Sequence, residues 1–117
     1  MADFVIREWE LPPHPGDQAP PHVHHRSDEA FYVLDGEMEI LLGDQRHRQT
    51  PGTLVIVPSG TTHTFANHGP GNLRVLVVMT PEIDELITAL HRADTAQARD
   101  VIWARYNSAV VEWPPTP

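Results

Sequence analysis

Closely spaced turn residues between Gly16 and Asn67 constrain the fold of this chain more than any other feature of its sequence. Asp35-Gly36 is a hairpin signal, and Gly52 follows at a later turn where a positive φ angle suits glycine. The 117 residues include 12 prolines and 7 glycines, so the segments between turns are short. Short β-prone segments separated by turns at this spacing predict an all-β sandwich or barrel.

Alternation of apolar and polar residues, together with β propensity, locates the predicted strands before residue 80. They cover residues 3–11, 30–34, 38–42, 45–49, 54–57, 62–66 and 73–79. Residues 12–21 are predicted to form a proline-rich loop, and Val23 begins a further β-prone stretch. The strand at 3–11 has the pattern of a sheet edge.

The pattern changes to short helices after residue 80. Pro81 suits a first helical position, and the acidic residues that follow it favour a helix N-terminus. The apolar residues at helical spacing are Ile83, Leu86, Ile87 and Leu90. A second helix is predicted over about 95–106, with Asn107 in the left-handed position that ends it, and a last strand over 109–113.

Composition and charge exclude several classes of protein. No linker, repeat or low-complexity segment interrupts the chain, so residues 1–117 are expected to form one domain. The formal charge is −8, Lys is absent and the arginines are scattered singly, so we expect no nucleic-acid partner. Apolar runs are too short for a membrane span, and no signal peptide or cysteine is present. We therefore expect a cytoplasmic protein without disulfides or thiolate metal ligands.

Four residues within this pattern have the chemistry of a metal site. His22 and His24 are two residues apart, so on a strand they face the same side. Glu29 begins the next strand, and a barrel could bring His63 alongside from a distant strand. Three imidazole nitrogens and one carboxylate suit one divalent transition metal ion: Fe, Mn, Ni, Co, Zn or Cu. Four protein ligands leave about two positions open on an octahedral ion, as a catalytic metal requires.

Other candidate ligands fit this arrangement less well. His25 is next to the pair but points to the opposite face. Asp28 competes with Glu29, and strand phase favours Glu29. The remaining histidines are interpreted as ordinary surface or core residues: His14, His47, His68 and His91.

Two segments resemble the conserved motifs of the cupin superfamily. They are HVHHRSDEAFYVLDG and GTLVIVPSGTTHTFAN, and the signature positions are filled, including Gly16, Pro58 and Asn67. The 15 residues between Gly36 and Gly52 match the short spacer of small microbial cupins. The resemblance implies a double-stranded β-helix, or jelly-roll barrel, with short C-terminal helices. It also implies a metal ion held inside the barrel by His22, His24, Glu29 and His63.

The C-terminal part has a fainter resemblance to small bacterial cupins described as quercetin-dioxygenase-like. It rests on residues 81–90, on Ala104-Arg105-Tyr106-Asn107 and on residues 110–115. Those proteins usually have glycine where this chain has Asn107. This resemblance favours a dioxygenase-like function.

The alternation of side chains along each strand predicts which of them surround the metal. Phe31 and Val33 share a face with Glu29, Phe65 shares a face with His63, and Met38 and Ile40 lie on one side of the next strand. These apolar residues are the predicted substrate-binding residues Phe31, Val33, Met38, Ile40 and Phe65; core packing is the alternative for each. An apolar pocket with one metal suits a planar aromatic or enolic ligand that chelates through two oxygens.

The first functional hypothesis is a metal-dependent oxygenase of a small aromatic or enolic compound. By analogy with some dioxygenases of the superfamily, Glu29 is the candidate catalytic residue that takes a proton. One alternative is a non-oxidative isomerase, lyase or decarboxylase that uses the metal as a Lewis acid. The other is a binding module that holds a small ligand without turnover.

A homodimer is expected, because small cupins commonly pair. Trp9 and Trp113, on the flanking strands, would provide apolar area near a sheet edge.

Overall fold

A computed structural model of the protein describes residues 3–114. Strands dominate this range, and two helices follow β8. In chain order the elements are β1 (Val5–Leu11), β2 (His22–His24), β3 (Glu29–Asp35), β4 (Met38–Leu42), β5 (Gln45–Gln49), β6 (Leu54–Val57), β7 (His63–Ala66), β8 (Leu73–Met79), α1 (Pro81–Arg92), α2 (Ala96–Arg105) and β9 (Ser108–Val110). The prediction of an all-β fold with short C-terminal helices is confirmed.

The strands form two antiparallel sheets. One has four strands in the order β1-β8-β3-β6, and the other has five in the order β5-β4-β7-β2-β9. Strands that are neighbours in each sheet are often distant in the sequence, as β1 and β8 are. The sheet partners of each strand are therefore set by the tertiary structure.

The hydrophobic core lies between the sheets. Alternate residues of β8 are buried, and the fully buried side chains in the core include Val33, Met38, Ile40, Leu73, Val75 and Val77. Ile83 of α1 joins the same core, so the first helix packs onto the β-structure. The amphipathic pattern predicted for α1 therefore marks its buried face.

Element boundaries differ from the predicted ones by a few residues. β1 begins at Val5, and the three-residue strand β2 forms where only a β-prone stretch was predicted. The last strand is Ser108–Val110, where residues 109–113 were predicted. Its length follows from its partner, because β9 pairs only with the short β2.

A threonine side chain caps the N-terminus of each helix. Thr80 caps α1 by accepting from the amide of Ile83, and Thr95 caps α2 by accepting from the amide of Ala98. Asn107 has φ 53°, the left-handed conformation predicted for it.

Among residues 3–114, no helix is long and apolar enough to span a membrane.

Two contacts fix α1 over one end of the barrel. The Arg7 guanidinium of β1 holds the Asp84 carboxylate at 2.6 and 2.9 Å. The Ser27 hydroxyl, in the loop between β2 and β3, lies 2.8 Å from the Thr80 hydroxyl. The helix is therefore tied both to the four-stranded sheet and to the loop that separates His24 from Glu29.

The turn between β3 and β4 requires glycine at Gly36. Its φ angle is 82°, and a Cβ atom there would collide with the carbonyl oxygen of Asn72. Gly52 has a similar φ of 88°, but no heavy atom lies within 4 Å of a Cβ placed there. A side chain at Gly52 would therefore meet backbone strain alone, whereas one at Gly36 would meet both backbone strain and a steric collision.

We expect Gly36→Ala to destabilise the protein more than Gly52→Ala. Both substitutions force alanine into the left-handed region at about 1–2 kcal/mol, and only Gly36→Ala adds a collision with the backbone, for a total of roughly 3 kcal/mol. Urea unfolding measures both differences. Equal losses in the two variants would contradict the close approach at Gly36.

Candidate metal centre

Pairing between β2 and β7 brings the three predicted histidine ligands together. His22 lies directly opposite His63 in the antiparallel register, and His24 follows two residues later on the same face of β2. Their ligand atoms all lie within 4.8 Å of one another. The inference that a distant strand brings His63 beside the HVH segment is therefore confirmed by the geometry.

Glu29 enters the cluster from the other sheet. Its Oε1 lies 3.1 Å from His63 Nε2 and 3.6 Å from His24 Nε2. Glu29 is the first residue of β3, and both it and His63 are buried. The four predicted ligands thus lie in one cluster between the two sheets, with His24, Glu29 and His63 buried and His22 partly buried.

Each imidazole ring is oriented by a hydrogen bond at its outer nitrogen. The Nδ1 atoms contact the Pro20 carbonyl at 2.7 Å, the Ser108 hydroxyl at 2.8 Å and the Thr61 carbonyl at 2.9 Å, for His22, His24 and His63 respectively. A carbonyl can only accept, so His22 and His63 donate Nδ1–H. Ser108 donates its own proton to the Tyr106 carbonyl and so accepts from His24. In the neutral rings, all three Nε2 lone pairs are therefore available on the inner side.

The electrostatics of the cluster suit a cation. Burial, reinforced by the neighbouring His63, lowers the pKa of His22 from 6.5 to about 3. Burial alone would raise the pKa of Glu29, but hydrogen bonds that His24 and His63 donate from Nε2 when their rings carry both protons outweigh it and lower the pKa to about 2. A carboxylate thus remains charged beside a neutral imidazole.

The donor set fits a divalent transition metal. Neutral Nε2 atoms and an ionised carboxylate are the forms in which His and Glu ligate metals. Their outer hydrogen bonds correspond to the supporting contacts that usually orient metal-bound histidines. The residues present therefore fit the predicted metal on grounds of chemistry and orientation.

The cluster lines a cavity of about 620 Å³. Aromatic rings surround it: Trp9 stacks on Phe65 at 6.2 Å between centroids, Phe31 lies 5.3 Å from Phe65, and Trp103 lies 5.0 Å from His22. Helices α1 and α2 complete the wall with Leu86, Ile87, Leu90, His91 and Arg99. The cavity wall is thus mainly apolar, and its polar members outside the ligand cluster include Glu10, Gln18, His91 and Arg99.

Two of the five predicted substrate-binding residues line this cavity. Phe31 and Phe65 do so, whereas Val33, Met38 and Ile40 belong to the closed core and are 0% exposed. The predicted pocket position of Val33, Met38 and Ile40 is therefore corrected to the core. Alternation correctly predicted that these side chains point inward. Val33, however, lies four residues beyond Glu29, roughly 13 Å along an extended strand, and at that distance it packs in the core.

The other residues weighed from the sequence lie outside the cluster. His25 is exposed, and Asp28 accepts from the amide of Ser59 at 2.8 Å in the next turn. The Asn67 amide group bonds the carbonyls of Leu11 and Gly71, which is a turn role. These contacts agree with the choice of Glu29 over Asp28.

Sequence reasoning missed the contribution of the C-terminal segment to the site. Ser108 positions His24, and Trp103 contacts His22, although both follow His63 by 40 residues or more. No local pattern marks either residue. The alternation around Ser108 is too short to predict its partner strand.

We expect Ser108→Ala to weaken metal binding about 10- to 100-fold, because His24 loses the acceptor that holds its ring. Competition titration with a chromogenic chelator measures the affinity. Ser59→Ala, at an exposed turn residue, is the matched control and should bind metal as the wild type does. Equal affinity in the two variants would argue against a supporting role for Ser108.

The metal-free protein should lose stability as the pH falls from about 6.5 towards 3. The unfolded chain binds a proton at His22 near pH 6.5, whereas the folded protein does so only near 3. Glu29 acts in the same direction between 4.5 and about 2. Each proton taken up only by the unfolded state costs about 1.4 kcal/mol per pH unit.

Urea unfolding of metal-free protein between pH 7.5 and 4 measures this dependence. His22→Gln should flatten the slope below pH 6.5, whereas His47→Gln, on exposed strand β5, should leave it unchanged. An identical slope for wild type and His22→Gln would contradict the lowered pKa of His22.

Comparison with known proteins agrees with the fold and the cluster. An uncharacterised protein of Streptomyces coelicolor is 39% identical over 57 residues, which are 49% of this chain and 53% of that protein. Quercetin 2,3-dioxygenase of Bacillus subtilis is 38% identical over 50 residues, 43% of this chain and 15% of that enzyme. The chain spans about half or less of the length of the curated relatives that it matches.

Solved structures show the same architecture. The polyketide cyclase RemF of Streptomyces resistomycificus is 35% identical with a TM-score of 0.59, over 68% of this chain and 56% of that one. A sugar phosphate isomerase of Silicibacter pomeroyi is 26% identical with a TM-score of 0.61, over 68% of this chain and 52% of that one. The two sheets therefore form the double-stranded β-helix that the sequence resemblance implied.

The family model of the cupin domain matches residues 9–79. This range extends from β1 to β8 and includes the four residues of the cluster. The chain belongs to the cupin family.

Proposed function

We propose that the protein is a metal-dependent oxygenase of a small planar aromatic or enolic compound. One observation carries the proposal: three imidazole Nε2 atoms and the Glu29 carboxylate converge on a cavity with aromatic walls. The cluster suits a metal with open positions, and the walls suit a flat apolar ligand.

The cavity walls determine which ligand shape fits. Phe31 and Phe65 are tilted at 50°, and Trp9 is nearly parallel to Phe65 at 12°. Offset-stacked and edge contacts are the favoured arrangements of aromatic groups. A planar ring system can therefore pack against Phe31 and Phe65 while its oxygens point towards the histidines.

Glu29 is the proposed proton acceptor. When bound, a divalent transition metal would supply Lewis-acid and redox chemistry to two oxygens of the substrate. The low pKa of Glu29, about 2 in the metal-free protein, keeps its carboxylate ionised at neutral pH. A carboxylate with so low a pKa is a weak base, so Glu29 would take the proton of a substrate enol or phenol once a bound metal has lowered the pKa of that group.

The two helices would support catalysis by shielding part of the cavity from water. Leu86 and Ile87 of α1 and Trp103 of α2 provide apolar wall on the side where the helices lie. Water exclusion strengthens the interaction between Glu29 and its substrate proton. The ties of α1 to Arg7 and Ser27 hold this wall in place.

The similarity to quercetin 2,3-dioxygenase supports an oxygenase, since that enzyme's name states a reaction with oxygen. It covers only 43% of this chain and 15% of that enzyme, so the substrate of this protein is proposed from the cavity. The proposed substrate of this protein has a flat ring and two neighbouring oxygens.

A non-oxidative reaction is the second candidate. The observation that favours it is the likeness to a polyketide cyclase at 35% identity, together with the sugar phosphate isomerase at 26%. In such a reaction, Glu29 would move a proton between substrate atoms without oxygen being consumed. The same aromatic walls would hold the substrate.

Oxygen consumption separates the two candidates. We expect metal-loaded protein to consume oxygen with a flavonol or a β-diketone in proportion to substrate loss. Glu29→Gln should retain metal and lower kcat by about 100-fold or more, because the amide cannot take the proton. The exposed Glu85 of α1 provides the matched control, and Glu85→Gln should keep full activity.

The metal content of the wild type and of each variant is measured alongside the oxygen assay. Substrate loss without oxygen uptake would favour the non-oxidative reaction. Ligand-induced thermal shifts with no product would favour a binding module instead. Full activity of Glu29→Gln with metal bound would refute the role of Glu29, and failure of the wild type to bind metal would remove both enzyme candidates.

A further inference from the structure

The cavity wall that the two helices form changes from buried to exposed along each helix. On α2, Trp103 is 7% exposed, and Arg99, four residues earlier, is exposed. On α1, Ile87 is partly buried, and His91, four residues later, is exposed. All four residues line the cavity, and residues four apart lie on one face of a helix. The helical wall therefore meets solvent at His91 and Arg99, and we call this pair the cavity rim.

The guanidinium group of Arg99 has no acidic partner at the rim. Its Nη1 donates to the Ala93 carbonyl, in the connection between the helices, at 3.2 Å. Among residues 3–114, no carboxylate forms an ion pair with Arg99, whereas each of four other arginines has such a partner. A guanidinium has five N–H donors, so most of them remain available to a ligand.

Helix stability does not account for a cation at this position. Arg99 lies in the first turn of α2, and that turn contains no acidic residue. The N-terminal end of a helix carries a partial positive charge, which favours acidic side chains and disfavours cations. Asp94, which precedes the helix, lines the cleft on the other side of the connection. The charge of Arg99 is therefore offset neither by a side-chain partner nor by the helix dipole.

The acidic residues of the cavity lie on β1, and their side chains point away from its aromatic wall. Glu8 and Glu10 occupy positions that alternate with Trp9, whose ring stacks on Phe65. Glu8 is also held by Arg74 at 3.1 and 3.2 Å. Both carboxylates are therefore on the opposite side of the strand from the Trp9 ring, and Arg99 remains the cation that a ligand in the cavity would meet.

We propose that Arg99 binds a carboxylate of the substrate, so that the substrate is a planar aromatic or enolic acid. The inference rests on the proposed function, in which the oxygens at the other end of the same molecule approach the histidines. A guanidinium binds a carboxylate through two parallel N–H···O bonds. One arginine offsets one negative charge, and the two acids of β1 disfavour a doubly charged group such as a phosphate.

Helix α2 sets the separation between the two ends of this substrate. Trp103 lies 5.0 Å from the ring of His22. Arg99 is one helical turn further towards solvent, about 6 Å along the axis. The carboxylate therefore lies at the end of the molecule remote from the chelating oxygens. The apolar wall between them accommodates at least one ring, which defines the substrate class as flat acids with the two groups at opposite ends.

Two probes that differ in one group test the proposal: para-carboxybenzoylacetone and its methyl ester. Both are planar β-diketones with one ring, and only the acid carries a charge at the far end. Calorimetric titration of metal-loaded protein without oxygen measures their Kd values and prevents turnover. We expect the wild type to bind the acid about 5- to 10-fold more tightly than the ester, a modest ratio because Arg99 is exposed.

Substitutions at Arg99 should change the binding of the acid alone. Arg99→Gln should reduce the affinity for the acid to that for the ester and leave the ester unchanged. Arg99→Lys keeps the charge without the planar fork and should retain part of the preference. Arg92→Gln is the matched control: it removes the same charge from the end of α1, and Arg92 lines the separate cleft between the helices. That variant should keep the full preference.

Salt provides a test that needs no substitution. Raising its concentration from about 0.05 to about 0.5 M should weaken binding of the acid to the wild type and leave the ester unaffected. Equal Kd values for the two probes, no binding of the acid, or acid binding that is insensitive to salt would overturn the proposal. So would an equal loss for both probes in Arg99→Gln, since Arg99 would then only support the connection at Ala93.

Oxygen uptake with the same two probes separates this inference from the proposed function. Binding of the acid that depends on Arg99, without oxygen uptake, would support the carboxylate subsite and count against the oxygenase. Oxygen uptake with equal affinity for acid and ester would support the oxygenase and overturn the subsite.

Discussion

Three imidazole rings and one carboxylate converge between the two sheets, and many contacts around them hold this arrangement in place. Ionisable groups removed from water destabilise a fold unless each has a partner. Here the outer nitrogen of every ring is bonded to a carbonyl or to Ser108, and Glu29 contacts the inner nitrogens of His24 and His63. The outer contacts therefore orient the three rings and satisfy their Nδ1 atoms at the same time.

The C-terminal segment completes a site whose ligands all lie in the first 63 residues. β9 pairs with β2 and places Ser108 opposite His24. α2 places Trp103 beside His22, and α1 covers the adjoining part of the cavity. The metal-ligand motif defines the chemistry of the centre, while the helices determine the shape of the cavity that a substrate would enter.

The candidate ligands of β2 could be predicted from the sequence because their geometry is local, whereas His63 needed a barrel to bring it alongside. A two-residue spacing on a strand puts His22 and His24 on one face, and turn residues indicate where Glu29 begins its strand. The cavity walls were predicted less well. Val33 and Phe31 share an inward face, yet only Phe31 lines the cavity. Alternation predicts which face of a strand a side chain is on, but it does not predict how far along the strand the cavity extends. The same limit applies to Met38 and Ile40.

The strand and turn pattern, the family resemblance and the four candidate ligands can be predicted from the sequence, because they follow from side-chain type and motif spacing. The partner of each strand, the contact between Ser108 and His24, and the inward position of Trp9 become visible in the folded chain. The folded chain also leaves the face with Ile6 and Ile56 exposed, while the loop of residues 12–21 covers the other sheet. These features join residues far apart in the chain, and hydrogen bonding and packing over such distances leave no local periodicity to detect.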